Sequence, residues 1–189
     1  MYKFFAFISR MKYIDRWSLM RNSVKENVSE HSHAVAIIAH ALAIIANVYF
    51  EEDLDANSVA VRALFHESSE VITGDLPTPI KYYNCEINDA YKKLEYVAND
   101  KLLTLLPQEM QDVYADILNA RGSEYRYVKY ADKICALIKC IEEQNAGNTE
   151  FERARKTIAV EIEGFENPAV DYFMENFITP FSLTLDELG

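Results

Sequence analysis

The chain has 189 residues, of which 50% are apolar and 26% are charged, and it contains five glycines and five prolines. This composition excludes disordered and fibrous classes, which need low hydrophobicity or a strong compositional bias, and the length suits a single domain over residues 1–189. The net charge of −11 argues against binding to polymeric DNA or RNA, which takes many contacts between cations and phosphates.

The N-terminal segment differs from the rest of the chain in charge. Residues 1–25 carry six lysines and arginines but a single acidic residue, Asp15. This basic segment indicates either a face that holds one small anion or a solvated N-terminal helix, and charge alone does not decide between them.

The apolar segments are too short for secretion or membrane insertion. The run Phe4–Ile8 is soon followed by a charge at Arg10, unlike a signal peptide. Residues 34–50 form the longest apolar stretch, but His40 and Asn47 interrupt it and it falls short of the ~20 residues that span a bilayer. We therefore expect a buried core helix and no membrane partner.

The three cysteines indicate the redox setting. Cys85, Cys135 and Cys140 make an odd number without a C-x-x-C pair, so neither a disulfide framework nor a zinc knuckle is expected. Cys135 and Cys140 lie among apolar residues and are expected in the core. A reducing, cytoplasmic location fits this pattern best.

The first long helix is predicted to run from a cap at Ser29 to about Phe50. Its apolar residues recur at spacings of three and four: Val35, Ile38, Leu42 and Ile45. His31 lies four residues before Val35 and extends this stripe at its N-terminal end.

A second helix is predicted from about Asn57 to Thr73, where Gly74 would end it. Residues 75–79 follow as a loop, because two prolines exclude a helix interior. Further helices are predicted over residues 85–106, 108–120, 123–146, 149–163 and 168–176. No convincing strand pattern occurs, so the sequence predicts an all-α, compact helical bundle.

The second predicted helix carries one histidine and two acids near its C-terminal end. His66 and Glu70 share a face with Ala63, and Glu67 lies about 100° around the helix from His66. The small alanine leaves room for a ligand, so the cluster indicates a binding site. Alternatively, the acids are solvated in the last helical turn.

Asp132 is a carboxylate within an apolar helical segment. Its neighbours include Val128, Ile134, Cys135 and Ala136. A carboxylate on an inward face must be paired or bind a metal, because an isolated buried charge is very costly. An ion pair and a metal site both remain open for it.

Four residues offer nitrogen and oxygen donors from inward helix faces: His31, His66, Glu67 and Asp132. Two imidazoles with carboxylates suit a divalent ion such as Mn, Fe, Co or Zn. Because cysteine donors are missing from the set, it favours a catalytic site with open positions over a structural one.

Three further residues have side chains that could bind a metal or a substrate: His33, His40 and Trp17. His33 and His40 are seven residues apart without carboxylates at helical spacing, so they are expected to be packing or surface histidines. Trp17 is the only tryptophan and is predicted in the core. Next to Arg16, it would alternatively form a corner that binds an anion and a ring.

The order of these motifs resembles the HD-domain metal-dependent phosphohydrolases, and specifically the bacterial 5′-deoxynucleotidases. The resemblance covers nearly the whole chain and rests on residues 16–17, 26–32, 66–71, 73–79, 81 and 131–132. It implies an all-α bundle of the HD-domain type, removal of phosphate from deoxynucleoside 5′-monophosphates, and a homodimer.

The resemblance also implies roles for individual residues. The metal ligands would be His31, His66, Glu67 and Asp132. Glu70 would be the catalytic acid/base, and Arg16 would act in catalysis by orienting the phosphate. The substrate-binding residues would be Arg16, Trp17, His31, Glu67, Asp75, Leu76, Pro77 and Thr78.

One position departs from the family pattern, because Glu67 follows His66 where the family has aspartate. Glutamate keeps the charge but reaches one methylene further, so it must fold back to make a metal–oxygen bond of ~2.0–2.2 Å. The leading hypothesis is a metal-dependent 5′-deoxynucleotidase. The alternatives are a non-catalytic nucleotide-binding sensor with an HD site altered at Glu67, and a helical interaction module. Within the same superfamily, the alternative is a cyclic-nucleotide or triphosphate hydrolase, and a triphosphate would require more cations than the one corner at Arg16.

Overall fold

The structure, a computed structural model, describes residues 1–81 and 83–189. The described helices are α1 (Phe4–Ile8), α2 (Val28–Phe50), α3 (Ala56–Leu64), α4 (Glu70–Thr73), α5 (Thr78–Lys81), α6 (Cys85–Leu103), α7 (Gln108–Leu118), α8 (Ser123–Asn145), α9 (Glu152–Glu163), α10 (Pro168–Phe177) and α11 (Leu185–Leu188). Short 3-10 helices cover Ser9–Tyr13, Thr149–Phe151 and Thr179–Ser182. Within these ranges the only β pairing is an isolated bridge between Asp15 and Asn27, so the all-α prediction is confirmed.

Helix α2 is the centre of the bundle and packs against α3, α8 and α10. The predicted stripe of α2 is buried in the main core: Val35, Ile38, Leu42 and Ile45. By length and composition α2 could cross a membrane, but 11 of its 23 residues are buried inside the protein. Helix α2 is therefore the core helix that the sequence predicts.

The cap of α2 differs by two residues from the prediction. Asn27, not Ser29, caps the helix, because Asn27 has an extended backbone and its side chain accepts hydrogen bonds from the Ser29 and Glu30 amides. The Glu30 carboxylate accepts in return from the Asn27 amide at 3.1 Å. This reciprocal pair satisfies N–H groups that would otherwise be unpaired at the helix start, and it fixes where His31 enters the bundle.

The predicted helix from Asn57 to Thr73 is broken. Helix α3 ends at Leu64 and α4 begins at Glu70, with tight turns between them. The turns close through hydrogen bonds spanning three residues, from the Ser68 amide and hydroxyl to the Phe65 carbonyl at 3.0 and 2.6 Å. Serine hydroxyls compete in this way with the α-helical ladder. The break changes the directions of His66 and Glu67 relative to a continuous helix.

The N-terminal helix packs against the bundle through one buried residue, Phe4, and exposes Phe5 and Ala6. Phe4 of α1 is fully buried in a second cluster with Leu102 and Leu106. Its ring lies 4.9 Å from the ring of Tyr114 and 6.5 Å from that of Phe65. The cations of the basic segment divide between the two alternatives, because Lys3, Arg10, Lys12, Arg21 and Lys25 are exposed and Arg16 is partly buried.

The bounds of the other helices agree with the predicted bounds to within a few residues, with one correction. The loop predicted over residues 75–79 is shorter, because α5 already begins at Thr78. Pro79 lies in the first turn of that helix, where proline is tolerated because its missing N–H would have no helical partner. Cys135 and Cys140 are buried as predicted, and Cys85 is exposed.

Candidate active site

The structure brings the four candidate metal ligands together. His31 comes from α2, His66 and Glu67 from the turns after α3, and Asp132 from α8. Each offers one ligand atom, and these atoms all lie within 4.8 Å of one another. With bonds of about 2.1 Å, two ligands of one ion lie at most about 4.2 Å apart. Ligands at a tetrahedral angle lie about 3.4 Å apart, so the most distant atoms of the group would have to approach each other by about 0.6–1.4 Å to share an ion.

The imidazole of His66 is oriented for metal binding. Its Nδ1 lies 2.7 Å from the Ala63 carbonyl, which can accept only from a protonated Nδ1. The buried Nε2 has no hydrogen-bond partner among the described residues and lies 3.4 Å from Glu67 Oε1. Burial lowers the pKa of His66 and favours the neutral ring, which is the form that binds metals. An unpartnered buried nitrogen facing carboxylates fits a cation site.

His31 and Asp132 form the opposite side of the group. His31 Nε2 lies 2.9 Å from Asp132 Oδ1, and the His31 side chain is fully buried. Burial raises the pKa of Asp132, but His31, His66 and Arg16 outweigh it and lower that pKa overall. The Asp132 side chain is 33% exposed, so it faces a cleft rather than the core. Asp132 pairs with His31, and its place among the candidate metal ligands keeps the metal site as a prediction.

Arg16 and Trp17 lie on the loop that leads into α2. The Arg16 side chain is 13% exposed, and its Nε lies 3.4 Å from Glu26 Oε2. Burial lowers the pKa of Arg16, but Asp132, Glu67 and Glu26 outweigh it and raise that pKa overall. The guanidinium is therefore within electrostatic range of the ligand group.

Trp17 belongs partly to the core and partly to this loop. Its ring centroid lies 5.4 Å from that of buried Phe151, which agrees with the predicted packing role. Its Nε1 donates to Glu26 Oε2 at 3.1 Å. The backbone of Trp17 has φ 56°, a left-handed conformation that is costly for a bulky residue. The loop therefore holds this ring under strain beside Arg16.

Glu70 begins α4 and is buried, with its Oε2 unpartnered among the described residues. Burial and the charges of Glu67 and Asp75 raise the pKa of Glu70 well above its usual range. Burial also raises the pKa of Asp75, and Glu67 adds to this against the opposing effect of Arg16. Both acids are therefore close to the ligand group. A protonated carboxyl at Glu70 is a potential proton donor.

The other residues predicted to bind the nucleoside, Leu76, Pro77 and Thr78, make no polar side-chain contact with the candidate metal ligands among the described residues. Leu76 and Pro77 are partly buried, and Thr78 is exposed at the start of α5. His33 is exposed, and neither it nor His40 belongs to the group.

Three residues near the site were not assigned from the sequence. Glu26 contacts Arg16, Trp17 and His31 through its carboxylate. Lys81 pairs with Glu95 at 3.1 Å. Tyr125 has its pKa raised to about 12 by burial and by Glu67 and Asp132. The spacing of seven residues between Tyr125 and Asp132 could have indicated a shared helix face, whereas Glu26 and Lys81 lie outside any periodic pattern.

The fold and this group of donors define the class of protein. The structure is similar to an HD-domain phosphohydrolase from Listeria innocua, with a TM-score of 0.83 and 22% identity over 95% of this chain and 88% of that one. It is also similar to the HD phosphohydrolase of cyanophage S-2L, which is described as bound to dA and one catalytic Zn²⁺ ion. That similarity has a TM-score of 0.66 and 17% identity over 95% and 96% of the two chains. The fold is that of the HD-domain phosphohydrolases.

Sequence relatives identify the family within this class. The sequence model described as 5′-deoxynucleotidase YfbR-like matches residues 3–181. A 5′-deoxynucleotidase of Photobacterium profundum is 47% identical over 98% of this chain and 97% of its own length. One from Vibrio vulnificus is 50% identical over 98% and 97%. The chain belongs to the 5′-deoxynucleotidase YfbR-like family, which confirms the resemblance found in the sequence.

Proposed function

We propose that this protein is a metal-dependent 5′-deoxynucleotidase that hydrolyses deoxynucleoside 5′-monophosphates to deoxynucleosides and phosphate. The observation that carries the proposal is the unpartnered, buried Nε2 of His66 within a group of two imidazoles and two carboxylates beside Arg16. The names of the relatives, at about half identity over nearly the full length, support the same activity.

The ion would be held by His31, His66, Glu67 and Asp132. Nitrogen and oxygen donors suit Co, Mn, Zn or Fe, and the cyanophage neighbour is described with zinc. Bound there, the ion would supply an acidified water and a polarised phosphoryl oxygen.

Arg16 would bind and orient the phosphate. Its contact with Glu26 uses Nε, and the described residues form no hydrogen bond with its terminal nitrogens. A planar guanidinium can present two parallel N–H donors to a phosphate and stabilise charge in the transition state. The burial of Arg16 in the cleft strengthens this attraction, because less water screens it.

Glu70 would handle the proton of the reaction. Hydrolysis breaks the bond between phosphorus and the 5′-oxygen, and that oxygen leaves with a proton. The raised pKa of Glu70 keeps a proton on its carboxyl near neutral pH, ready for donation to the leaving oxygen. The unpartnered Oε2 is the atom we assign to this transfer.

The nucleoside would lie between the Trp17 side of the cleft and the loop after α4. We assign its contacts to Trp17, Asp75, Leu76, Pro77 and Thr78, with His31 and Glu67 bordering the phosphate. Rejection of a ribose needs a crowded or already satisfied wall at the 2′ position, since an apolar wall alone discriminates an added hydroxyl by only ~100-fold.

The test is phosphate release from a deoxynucleoside 5′-monophosphate with added Co²⁺ or Mn²⁺, and with a chelator. We expect release that the chelator abolishes and that His66→Ala removes. His33→Ala, on the exposed face of α2, is the matched histidine control and retains activity. A wild-type protein that binds nucleotide but releases no phosphate with any metal or base would favour the sensor alternative, in which Glu67 marks lost chemistry.

We further propose that the protein is a cytoplasmic, single-domain homodimer over residues 1–189. Support for a second copy comes from α2, which presents Ile37, Ile44 and Val48 to solvent at spacings of seven and four. An exposed apolar stripe of this kind is typical of an interaction surface. Cysteines without disulfides agree with a reducing compartment.

A further inference from the structure

One carboxylate outside the ligand group joins several parts of the proposed site. Glu26 lies near the C-terminal end of the loop formed by residues 14–27. The two ends of this loop are joined by hydrogen bonds from the Arg16 amide to the Glu26 carbonyl at 2.9 Å and from the Val28 amide to the Ile14 carbonyl at 3.0 Å. These bonds hold the Glu26 backbone directly opposite Arg16.

The two carboxylate oxygens of Glu26 face different partners. Oε2 accepts from Trp17 Nε1 at 3.1 Å and lies 3.4 Å from Arg16 Nε. Oε1 lies 3.5 Å from Nδ1 of His31. The side chain is only 18% exposed, so these contacts are shielded from water. Burial raises the pKa of Glu26, but His31, Arg16 and Trp17 outweigh it and lower that pKa overall.

We infer that Glu26 is a positioning residue that fixes the metal ligand His31 and the phosphate-binding Arg16 relative to each other. The inference rests on the proposed function for the role of Arg16. Metal-binding histidines generally donate their second N–H to a carboxylate or carbonyl, which fixes the tautomer and orientation of the ring. Ala63 accepts in this way from His66 at 2.7 Å. Glu26 Oε1 lies 3.5 Å from His31 Nδ1, which has no hydrogen-bond partner among the described residues, so Glu26 is the carboxylate placed to accept from His31.

The tautomer of His31 gives the inference a specific consequence. A carboxylate can only accept, so Glu26 favours a proton on Nδ1. Asp132 is also an acceptor and favours a proton on Nε2 in the metal-free protein, and a bound ion would replace that second proton. In Glu26→Gln, the amide oxygen would stay with Trp17 and Arg16, and the amide nitrogen would face His31. That nitrogen donates to Nδ1 and moves the ring proton to Nε2, where it blocks metal binding.

The first measurement is the metal affinity of the full chain, by competition with a chromophoric chelator for Co²⁺. We expect Glu26→Gln to weaken binding by about 10–100-fold, as for other carboxylates that orient metal-binding histidines. The matched control is Asp15→Asn. Asp15 lies on the same loop, and its Oδ2 pairs with Nζ of Lys25 at 2.9 Å, but both side chains are largely exposed. The control should bind Co²⁺ like the wild type.

Trp17 provides an independent readout because it is the only tryptophan in the chain. Loss of the charged acceptor at its Nε1 should change its emission and increase its quenching by acrylamide in Glu26→Gln. At saturating metal, KM for the deoxynucleotide should rise about tenfold more in Glu26→Gln than in Asp15→Asn, because the partner of Arg16 loses its negative charge. Asp15→Asn should leave emission and quenching unchanged.

A second variant, Glu26→Asp, separates position from charge. It keeps the acceptor character but withdraws the carboxylate by one methylene, so it should lose Co²⁺ affinity to a smaller extent than Glu26→Gln. Circular dichroism would verify that both variants are folded.

Wild-type Co²⁺ affinity in both folded variants would overturn the inference. If the wild-type chain released no phosphate, the proposed function would fail, while Co²⁺ affinity and Trp17 quenching would still decide the role of Glu26.

Discussion

At the scale of single residues, the substitution at position 67 is the clearest departure from the family pattern. The longer side chain of Glu67 still places an oxygen within the ligand group. The turns between α3 and α4 allow this, because they free His66 and Glu67 from the fixed angle of a helix.

The role of Glu70 is tested by Glu70→Gln, which keeps the shape of the side chain and removes the proton that it would donate. We expect phosphate release to fall by about 10²–10⁴-fold, the usual contribution of a positioned acid or base, with Co²⁺ affinity and fold retained. Glu109→Gln, an exposed acid on α7, is the control. Turnover at the wild-type rate in Glu70→Gln would contradict the assigned role.

The same variant should change how the stability of the metal-free protein depends on pH. The pKa of Glu70 is raised in the folded state, so above about pH 4.5 the folded state keeps a proton that the unfolded chain loses. This contribution makes stability decline as pH rises, and Gln removes it. Thermal unfolding at pH 5 and pH 8 should therefore show a smaller loss of stability in Glu70→Gln than in the wild type.

At the scale of secondary-structure elements, one face of α8 connects the ligand group to the loop formed by residues 14–27. Asp132 and Lys139 are seven residues apart on this face, and Glu143 follows one turn later. The buried pair of Lys139 and Glu143 holds the loop, since Lys139 donates to the Val24 carbonyl and Glu143 accepts from the Ser23 amide at 2.8 Å. The helix thus sets the distance between the loop and Asp132.

Glu143→Gln should lower the free energy of unfolding at pH 7 by about 3 kcal/mol, because it leaves Lys139 buried without its counter-charge. Burial raises the pKa of Glu143, but its hydrogen bonds with Lys139, Ser23 and Asn148 lower it overall to about 2. The stabilisation is therefore present above about pH 4.5 and is lost as the pH falls towards 2. Denaturant titrations at pH 7 and pH 3 should show a smaller difference at pH 3, and equal differences would contradict the assignment.

The sequence predicted the long elements well and the irregular ones poorly. Apolar spacing predicted α2 with its buried stripe, and it placed Asp132 on a helix. The break after Leu64 was missed because the Ser68 hydroxyl competes with the helix through a local hydrogen bond that periodicity does not encode. Glu26 was missed for a related reason, since its partners meet only when the loop closes.

At the scale of the whole molecule, the candidate metal ligands come from α2, α8 and the turns after α3, so an ion bound there would connect these three parts of the chain. An ion that binds only the folded state stabilises the whole fold. At a Co²⁺ concentration of 100 times Kd, we expect about 2.7 kcal/mol of added stability. That corresponds to a rise in Tm of about 5–11 °C for a chain of this size. His66→Ala should show no rise, and His33→Ala should show the wild-type rise.

The proposed homodimer can also be tested at this scale. A glutamate at position 44 would place a charge within the exposed stripe of α2, so Ile44→Glu should halve the mass measured by sedimentation equilibrium. Val160→Glu, at an exposed valine of α9, is the matched control and should keep the wild-type mass. A wild-type protein that sediments as a monomer would refute the dimer.

The central position of α2 has a consequence for the chain during its synthesis. Helix α2 is complete at Phe50, but its partner α8 ends only at Asn145, about 95 residues later. At translation rates of about 5–20 residues per second, α8 is completed roughly 5–20 s after α2, and until then the apolar face of α2 cannot pack against it. During this interval the nascent chain displays a segment apolar enough to enter a bilayer. Ribosome-associated chaperones that shield such segments should therefore raise the yield of folded protein, and slowing translation between α2 and α8 should lower it.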